Sequence, residues 1–106
     1  MAAFLIQFSY TEQGLKGLLK EGGSKRREAV EQLIKSQGGK LVAYYFTFGE
    51  YDGFSIVDGV ENVDAFAAAL IVGASGAVRT KTTVLLTPEE VDKASKKSGP
   101  YRAPGQ

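Results

Sequence analysis

The sequence predicts an α+β protein whose elements follow the order β-α-β-β-α-β. Three observations lead to this prediction. Four stretches rich in aromatic and β-branched residues are typical of strands, two longer stretches carry apolar residues at helical spacing, and paired glycines or an Asp-Gly turn separate them. The chain has 106 residues, which is the length of one domain.

The first strand and the helical segment after it are marked by alternation and by capping residues. Residues 3–10 (AFLIQFSY) place aromatic and branched side chains on one face of a strand and a mixed set on the other. Thr11 offers an N-cap oxygen to the following helix. The glycine pair at 22–23 interrupts that helix, Ser24 restarts it, and the glycine pair at 38–39 ends it.

A central hairpin follows. Residues 40–48 (KLVAYYFTF) are apolar on both faces, which predicts a strand that is buried on both sides. Residues 49–53 (GEYDG) have turn chemistry, and Asp-Gly is a strong hairpin signal. Residues 53–58 (GFSIVD) are therefore predicted to form the returning strand.

The remaining sequence predicts a helix, a strand, a short helix and an arm. Asn62 is placed to cap the second main helix, and residues 77–87 (AVRTKTTVLLT) form a fourth strand. Residues 87–90 (TPEE) are a capping box with Pro at the first helical position, so they open a short helix. Residues 98–106 hold two of the three prolines and predict an extended arm beyond a domain of residues 1–97. The second main helix carries an apolar stripe of Val63, Phe66, Ala67, Leu70 and Ile71.

The predicted order implies a partner. Two βαβ halves joined by a hairpin form the ferredoxin-like arrangement, a four-stranded antiparallel sheet with two helices on one face. Both alternating sets of strand residues are partly apolar, so the face without helices also needs cover. Pairing of two sheets in a homodimer or a larger homo-oligomer supplies that cover, and the arm is predicted to be disordered or to lie on a neighbour. The alternation does not decide which set faces the helices.

Composition excludes several classes of function. The 13 Lys and Arg residues nearly balance the 12 Asp and Glu residues, which argues against nucleic-acid and membrane-surface partners. The chain has neither His nor Cys, so it lacks the usual general base, the thiolate nucleophile and the commonest transition-metal ligands. We therefore expect no metal and no cofactor. No signal peptide or membrane-length apolar run is visible, so the expected location is the cytoplasm.

The central turn resembles the signature of a known family. Residues 49–52 (GEYD), which follow a Tyr-Tyr-Phe-Thr strand, are similar to the Gly-x-Tyr-Asp signature of the GYD domain family. Thr11-x-x-Gly14, the glycine pair at 38–39 and the Val-Arg-Thr run at 78–80 support the resemblance, which covers roughly residues 3–95. The resemblance implies a ferredoxin-like, dimeric α/β-barrel fold. It implies no established activity, so no catalytic residue is carried over from it.

Tyr51 and Asp52 are the candidate catalytic residues. A phenol beside a carboxylate at the mouth of a cavity can act as hydrogen-bond donor and general base. The structural alternative is that Asp52 accepts backbone N–H bonds in the turn while Tyr51 packs against the sheet.

Five further residues are candidate ligand contacts. Arg79 and Lys81 share one face of the fourth strand, where they would hold a carboxylate or enolate oxygen, or would serve as solvated charges that discourage edge pairing. Tyr10, Tyr44 and Tyr45 would line a pocket for a flat apolar ligand, or would belong to the core and the interface. The basic run at 25–27 (KRR) is typical of a solvated helix face.

Three function classes compete on this evidence. The preferred hypothesis is a binding and assembly module with a small-ligand cavity between paired sheets. The alternative is a cofactor-independent isomerase or monooxygenase that acts on a small phenolic or dienoic substrate, an argument by analogy of fold. RNA recognition shares the element order, but Asp52 stands where the RNA-binding motif has a basic residue and Ile56 where it has a stacking aromatic.

Overall fold

The computed structural model describes residues 2–106 and confirms the predicted ferredoxin-like fold. The sheet has four strands, and every neighbouring pair is antiparallel. In chain order the elements are β1 (Ala2–Tyr10), α1 (Glu12–Glu21), α2 (Gly23–Ser36), β2 (Lys40–Phe46), β3 (Gly53–Val60), α3 (Asn62–Ala74), β4 (Val78–Leu85) and α4 (Pro88–Ser95). The strand order is β2-β3-β1-β4, so β1 and β3 are central and β2 and β4 are the edges.

Capping residues set the helix starts close to the predicted positions. Thr11 Oγ1 accepts a hydrogen bond from the Gly14 amide at 3.2 Å and so caps α1, as predicted. Gly22, at φ 84°, separates α1 from α2. The prediction for α3 was one residue late: Glu61 is the N-cap, and the Asp64 carboxylate accepts the Glu61 amide at 3.2 Å, which completes a capping box.

The structure shows which face of the sheet meets the helices. Phe4 and Val57, 3% and 1% exposed, pack with Ile34 of α2 and with Val60 in the buried core. The side of the sheet that carries Phe4 and its alternating neighbours is called the helix face below. Residues Ile6, Phe8, Tyr10, Tyr44, Ser55, Val78, Thr80 and Thr82 lie on the same face.

The opposite side of the sheet is called the open face, and no helix among the described residues 2–106 lies over it. Cross-strand pairing places Leu5 opposite Ile56 and Thr83, and Gln7 opposite Phe54 and Lys81. The open face consists of Leu5, Gln7, Ser9, Ala43, Tyr45, Phe54, Ile56, Arg79, Lys81 and Thr83.

The apolar stripe of α3 lies on the outside of the helix. Val63 and Phe66 are 79% and 67% exposed, and Leu70 and Ile71 are also exposed. The buried side of α3 is instead built on small residues, of which Ala68 is the most enclosed. Small side chains allow the helix backbone to lie close to the sheet, which the apolar periodicity alone does not reveal.

The C-terminal segment projects from the rest of the chain. Residues 86–106, which include α4, are exposed throughout. The radius of gyration is 17.0 Å, whereas a compact domain of this length has about 13 Å. The predicted capping box is present, since Thr87 Oγ1 accepts the Glu90 amide at 3.1 Å.

Candidate functional site

A cavity of about 60 Å³ lies between the helix face of the sheet and helices α2 and α3. Apolar side chains dominate its wall, and the hydroxyl-bearing residues Ser55, Thr80 and Thr82 lie on the sheet side. Among the residues that the structure describes, none that lines this cavity is acidic. The lining residues are Ile6, Phe8, Tyr10, Arg26, Val30, Leu33, Ile34, Tyr44, Ser55, Ala65, Ala68, Ala69, Val72, Val78, Thr80 and Thr82.

Tyr10, Tyr44 and Arg26 bring polar groups to the wall of this cavity. An aromatic cluster fixes the two phenols: Phe8 stacks on Tyr44 at 5.2 Å between ring centroids and meets Tyr10 edge-on at 5.6 Å. Phe46 closes the cluster against Tyr44 at 5.5 Å. The rings therefore hold the hydroxyl groups in place beside the guanidinium.

The Tyr44 phenol stays protonated well into the alkaline range. Burial raises the pKa of Tyr44, and a side-chain hydrogen bond with Tyr10 raises it further against the smaller opposing effect of the Arg26 charge. A hydrogen bond that raises the pKa of a phenol is one that its O–H donates. Tyr44 is therefore suited to donate a hydrogen bond and unsuited to act as a base or a nucleophile.

Arg26 is held by two kinds of neighbour. Burial lowers the pKa of Arg26, but a hydrogen bond with the Tyr10 side chain and the charges of nearby groups outweigh it, so the pKa is raised. Its Nη1 lies 3.5 Å from Glu21 Oε1, in an ion pair that is partly solvated. The Nε–H of Arg26 is buried and has no hydrogen-bond partner among the residues that the structure describes. A buried donor without a partner is unfavourable, so the position of Arg26 carries an energetic cost.

The turn that carries the Gly-x-Tyr-Asp run positions Tyr10. Asp52 Oδ2 accepts the Tyr10 amide at 2.7 Å, and the Asp52 amide donates to the Phe8 carbonyl at 2.8 Å. Within the turn, Thr47 donates its amide to the Asp52 carbonyl and its hydroxyl to the Tyr51 carbonyl. The structural alternative for Asp52 therefore has direct geometric support, and the side chain acts on the site by holding the end of β1.

An open cleft between α1 and α3 adjoins the cavity. Tyr10, Arg26, Val72 and Val78 line both spaces, so they form the boundary between them. The cleft has a volume of about 380 Å³, and Gly17 of α1 forms part of its wall. The Arg26 and Tyr10 side chains therefore stand between the cavity and the open cleft.

The predicted ligand contacts fall on two sides of the sheet. Tyr10 and Tyr44 line the cavity, whereas Tyr45 lies on the open face, where its ring meets Phe54 at 5.7 Å. Arg79 and Lys81 also lie on the open face, opposite Ser9 and Gln7 of β1. Tyr51 is half-buried in the turn beside Asp52. Of the five predicted ligand contacts, Tyr10 and Tyr44 therefore line the cavity. The other three, Tyr45, Arg79 and Lys81, lie away from it on the open face.

Sequence reasoning missed Arg26. The basic run at 25–27 suggested a solvated helix face, but only Arg27 and Lys25 are exposed in it. A signal for Arg26 was present: it precedes Val30, Leu33 and Ile34 by four, seven and eight residues, which places it on the apolar stripe of α2. A cation on the buried side of a helix is unusual enough to mark a site.

No helix among residues 2–106 is long and apolar enough to cross a bilayer.

Comparison with known proteins identifies the family. No curated protein and no solved structure matches the chain significantly. The family model of the GYD domain matches residues 4–95, a range that contains nearly all of the secondary structure. The chain therefore belongs to the GYD domain family.

Proposed function

We propose that this protein is a homo-oligomeric binding module. In this proposal two copies pair through the open faces of their sheets, and each copy binds a small ligand in the cavity under its helices. The observation that carries it is the two-sided character of the sheet: one apolar side is covered by helices, and the other is not.

The open face supports self-association. Leu5, Phe54 and Ile56 are adjacent across β1 and β3, and Tyr45 beside them is 62% exposed. Apolar side chains of this size on a helix-free sheet face are typical of a surface that packs on another sheet. Arg79 and Lys81 would border any gap between the paired sheets. We therefore include in the proposal that these two residues contact a ligand bound between the subunits.

Further apolar surface supports an assembly of two or more copies. The outer stripe of α3 and the projecting C-terminal segment are both uncovered in the single chain, and Tyr101 in that segment is 81% exposed. Contiguous apolar patches on a protein surface mark interaction sites. The C-terminal arm therefore extends to where a neighbouring subunit could receive it.

The cavity supports ligand binding rather than the alternative enzymatic function. Arg26 and Tyr10 offer hydrogen-bond donors, and an apolar wall with a few convergent polar groups is typical of a ligand site. An isomerase or monooxygenase acting on a phenolic or dienoic substrate needs a base at the reacting atom. Tyr44 remains protonated, and the described lining residues include no carboxylate, so the geometry favours binding.

Light scattering coupled to gel filtration tests the pairing. We expect the wild-type protein to have at least twice the mass of one chain and Ile56→Lys to have the mass of one chain, because a charge would be buried between the sheets. If Ile56→Lys folds poorly, Tyr45→Lys replaces it as the test variant, because Tyr45 is an exposed residue of the same face. The control is Leu19→Lys, since Leu19 is 87% exposed on α1 and should keep the wild-type mass. A wild-type protein with the mass of one chain would refute the pairing.

A further inference from the structure

We propose that the cavity binds a short aliphatic carboxylate, with the alkyl chain inside the cavity and the carboxylate at the boundary formed by Arg26 and Tyr10. This inference rests on the ligand-binding part of the proposed function and specifies the ligand class.

The size of the cavity selects the apolar part of the ligand. A volume of about 60 Å³ exceeds what one water molecule needs but is well below the roughly 150 Å³ of a cavity known to admit a benzene ring. Burying about two to three carbon atoms would use this space, whereas an aromatic ring would require the packed wall to move. The cavity therefore favours a short chain over the flat ring that the aromatic residues suggested from sequence.

The position of Arg26 determines where the negative charge of the ligand would lie. Arg26 and Tyr10 line both the cavity and the open cleft, while the helix side of the deeper wall is built from aliphatic side chains of α2 and alanines of α3. A carboxylate loses too much hydration to enter an apolar interior, but at this boundary it keeps contact with solvent in the cleft. The chain then points inward and the anion outward.

The chemistry of Arg26 favours a ligand that carries a single negative charge. Its planar guanidinium lies at the wall of the cavity and is suited to two parallel hydrogen bonds with one carboxylate. Arg26 is the only cation among the described residues that line the cavity, and Glu21 already lies 3.5 Å from its Nη1. A dianion such as a phosphate monoester would lack a second positive partner, so a monocarboxylate fits better.

Amide NMR spectra of the full chain, titrated with acetate, propionate, butyrate, valerate and hexanoate, test the inference. We expect shifts at Tyr10, Arg26 and Val72, and affinity that rises by about fourfold per added methylene until the cavity is full and then stops rising. Butyramide and benzoate are the comparison ligands. We expect butyrate to bind about tenfold or more tightly than butyramide, which cannot form the charge-assisted pair, and more tightly than benzoate.

Arg26→Gln and Arg27→Gln are the matched variants, because they remove the same charge from adjacent positions of α2 and Arg27 is exposed. We expect Arg26→Gln to lose the preference for butyrate over butyramide and Arg27→Gln to keep it. Equal binding of butyrate and butyramide in the wild type would overturn the carboxylate inference while leaving the cavity as a ligand site. Affinity independent of chain length would also overturn it, because it would mean an ion held at the surface. The absence of shifts around the cavity with every ligand would refute both the inference and the ligand-binding function, but not the pairing of sheets.

Discussion

Asp52 shows how a residue that suggests chemistry can serve structure. Its carboxylate accepts the Tyr10 amide and its own amide pairs with the Phe8 carbonyl, so it joins the hairpin turn to the end of β1. Tyr10 is one of three β1 residues that line the cavity, so Asp52 holds the end of a strand that borders the cavity without lining the cavity itself. The residue type alone could not distinguish this role from that of a base.

Removal of the Asp52 carboxylate is expected to destabilise the fold. We expect Asp52→Ala to lower the free energy of unfolding by about 1–3 kcal/mol, because it leaves a part-buried backbone amide without its acceptor. Urea denaturation measures this change. Glu50→Ala is the control, because it removes an exposed carboxylate from the same turn and should change the free energy by less than about 0.5 kcal/mol. Equal effects of the two substitutions would show that the hydrogen bond to Tyr10 is not important.

The raised pKa of Tyr44 predicts a stability change at high pH. The unfolded phenol ionises near pH 10, while the folded phenol holds its proton to a higher pH. Above about pH 10 the unfolded state therefore loses protons that the folded state retains, and the stability falls as the pH rises. We expect the wild type to lose stability more steeply above pH 10 than Tyr44→Phe, measured by urea denaturation at a series of pH values. Identical slopes would contradict the burial of the Tyr44 hydroxyl.

Glycines define the elements around the site in two different ways. A Cβ at Gly53 would collide with the Phe8 ring and would lie 2.5 Å from the Tyr45 carbonyl oxygen, so β3 can start here only without a side chain. A Cβ at Gly17, in the middle of α1, would meet nothing within 4 Å. Close packing therefore requires a glycine at position 53. At position 17 it does not, and the absent side chain only leaves more space in the cleft.

These two glycines give opposite predictions for the same substitution. We expect Gly53→Ala to lower the free energy of unfolding by about 1–3 kcal/mol through overpacking. Gly17→Ala should raise it by about 1 kcal/mol, because alanine favours the helix and has room. Thermal and urea unfolding of the two variants measure both effects. A stable Gly53→Ala protein would mean that the hairpin and Phe8 are packed less tightly than described.

The elements were largely predictable, and the sides that they bury were not. Local signals such as the Thr11 cap, the glycine pairs and the Thr87 capping box act within a few residues, so the sequence predicts them and the structure confirms them. The orientation of α3 depends on packing against the sheet, where Ala68 fits and Phe66 does not, and periodicity cannot show this. Arg26 was missed for the related reason that its charge was given more weight than its place on the stripe of α2.

The sheet divides the whole protein into two sides of different character. The helix face encloses the core at one end and the cavity with its aromatic cluster at the other. The open face and the C-terminal segment carry apolar side chains that are exposed or half-buried in the part of the chain that the structure describes. The sequence predicted this surplus of apolar surface, because two helices cannot cover both sides of four strands.

The relaxation of methyl groups by a soluble paramagnetic agent measures whether a second copy covers the open face. Two internal references are available: Ile34 is 3% exposed, and Leu18 is half-buried on α1. In the wild-type protein we expect the methyl groups of Leu5 and Ile56 to relax as slowly as those of Ile34, because paired sheets would exclude the agent. Relaxation of Leu5 and Ile56 as fast as that of Leu18 would show that water reaches the open face and would contradict the pairing of sheets.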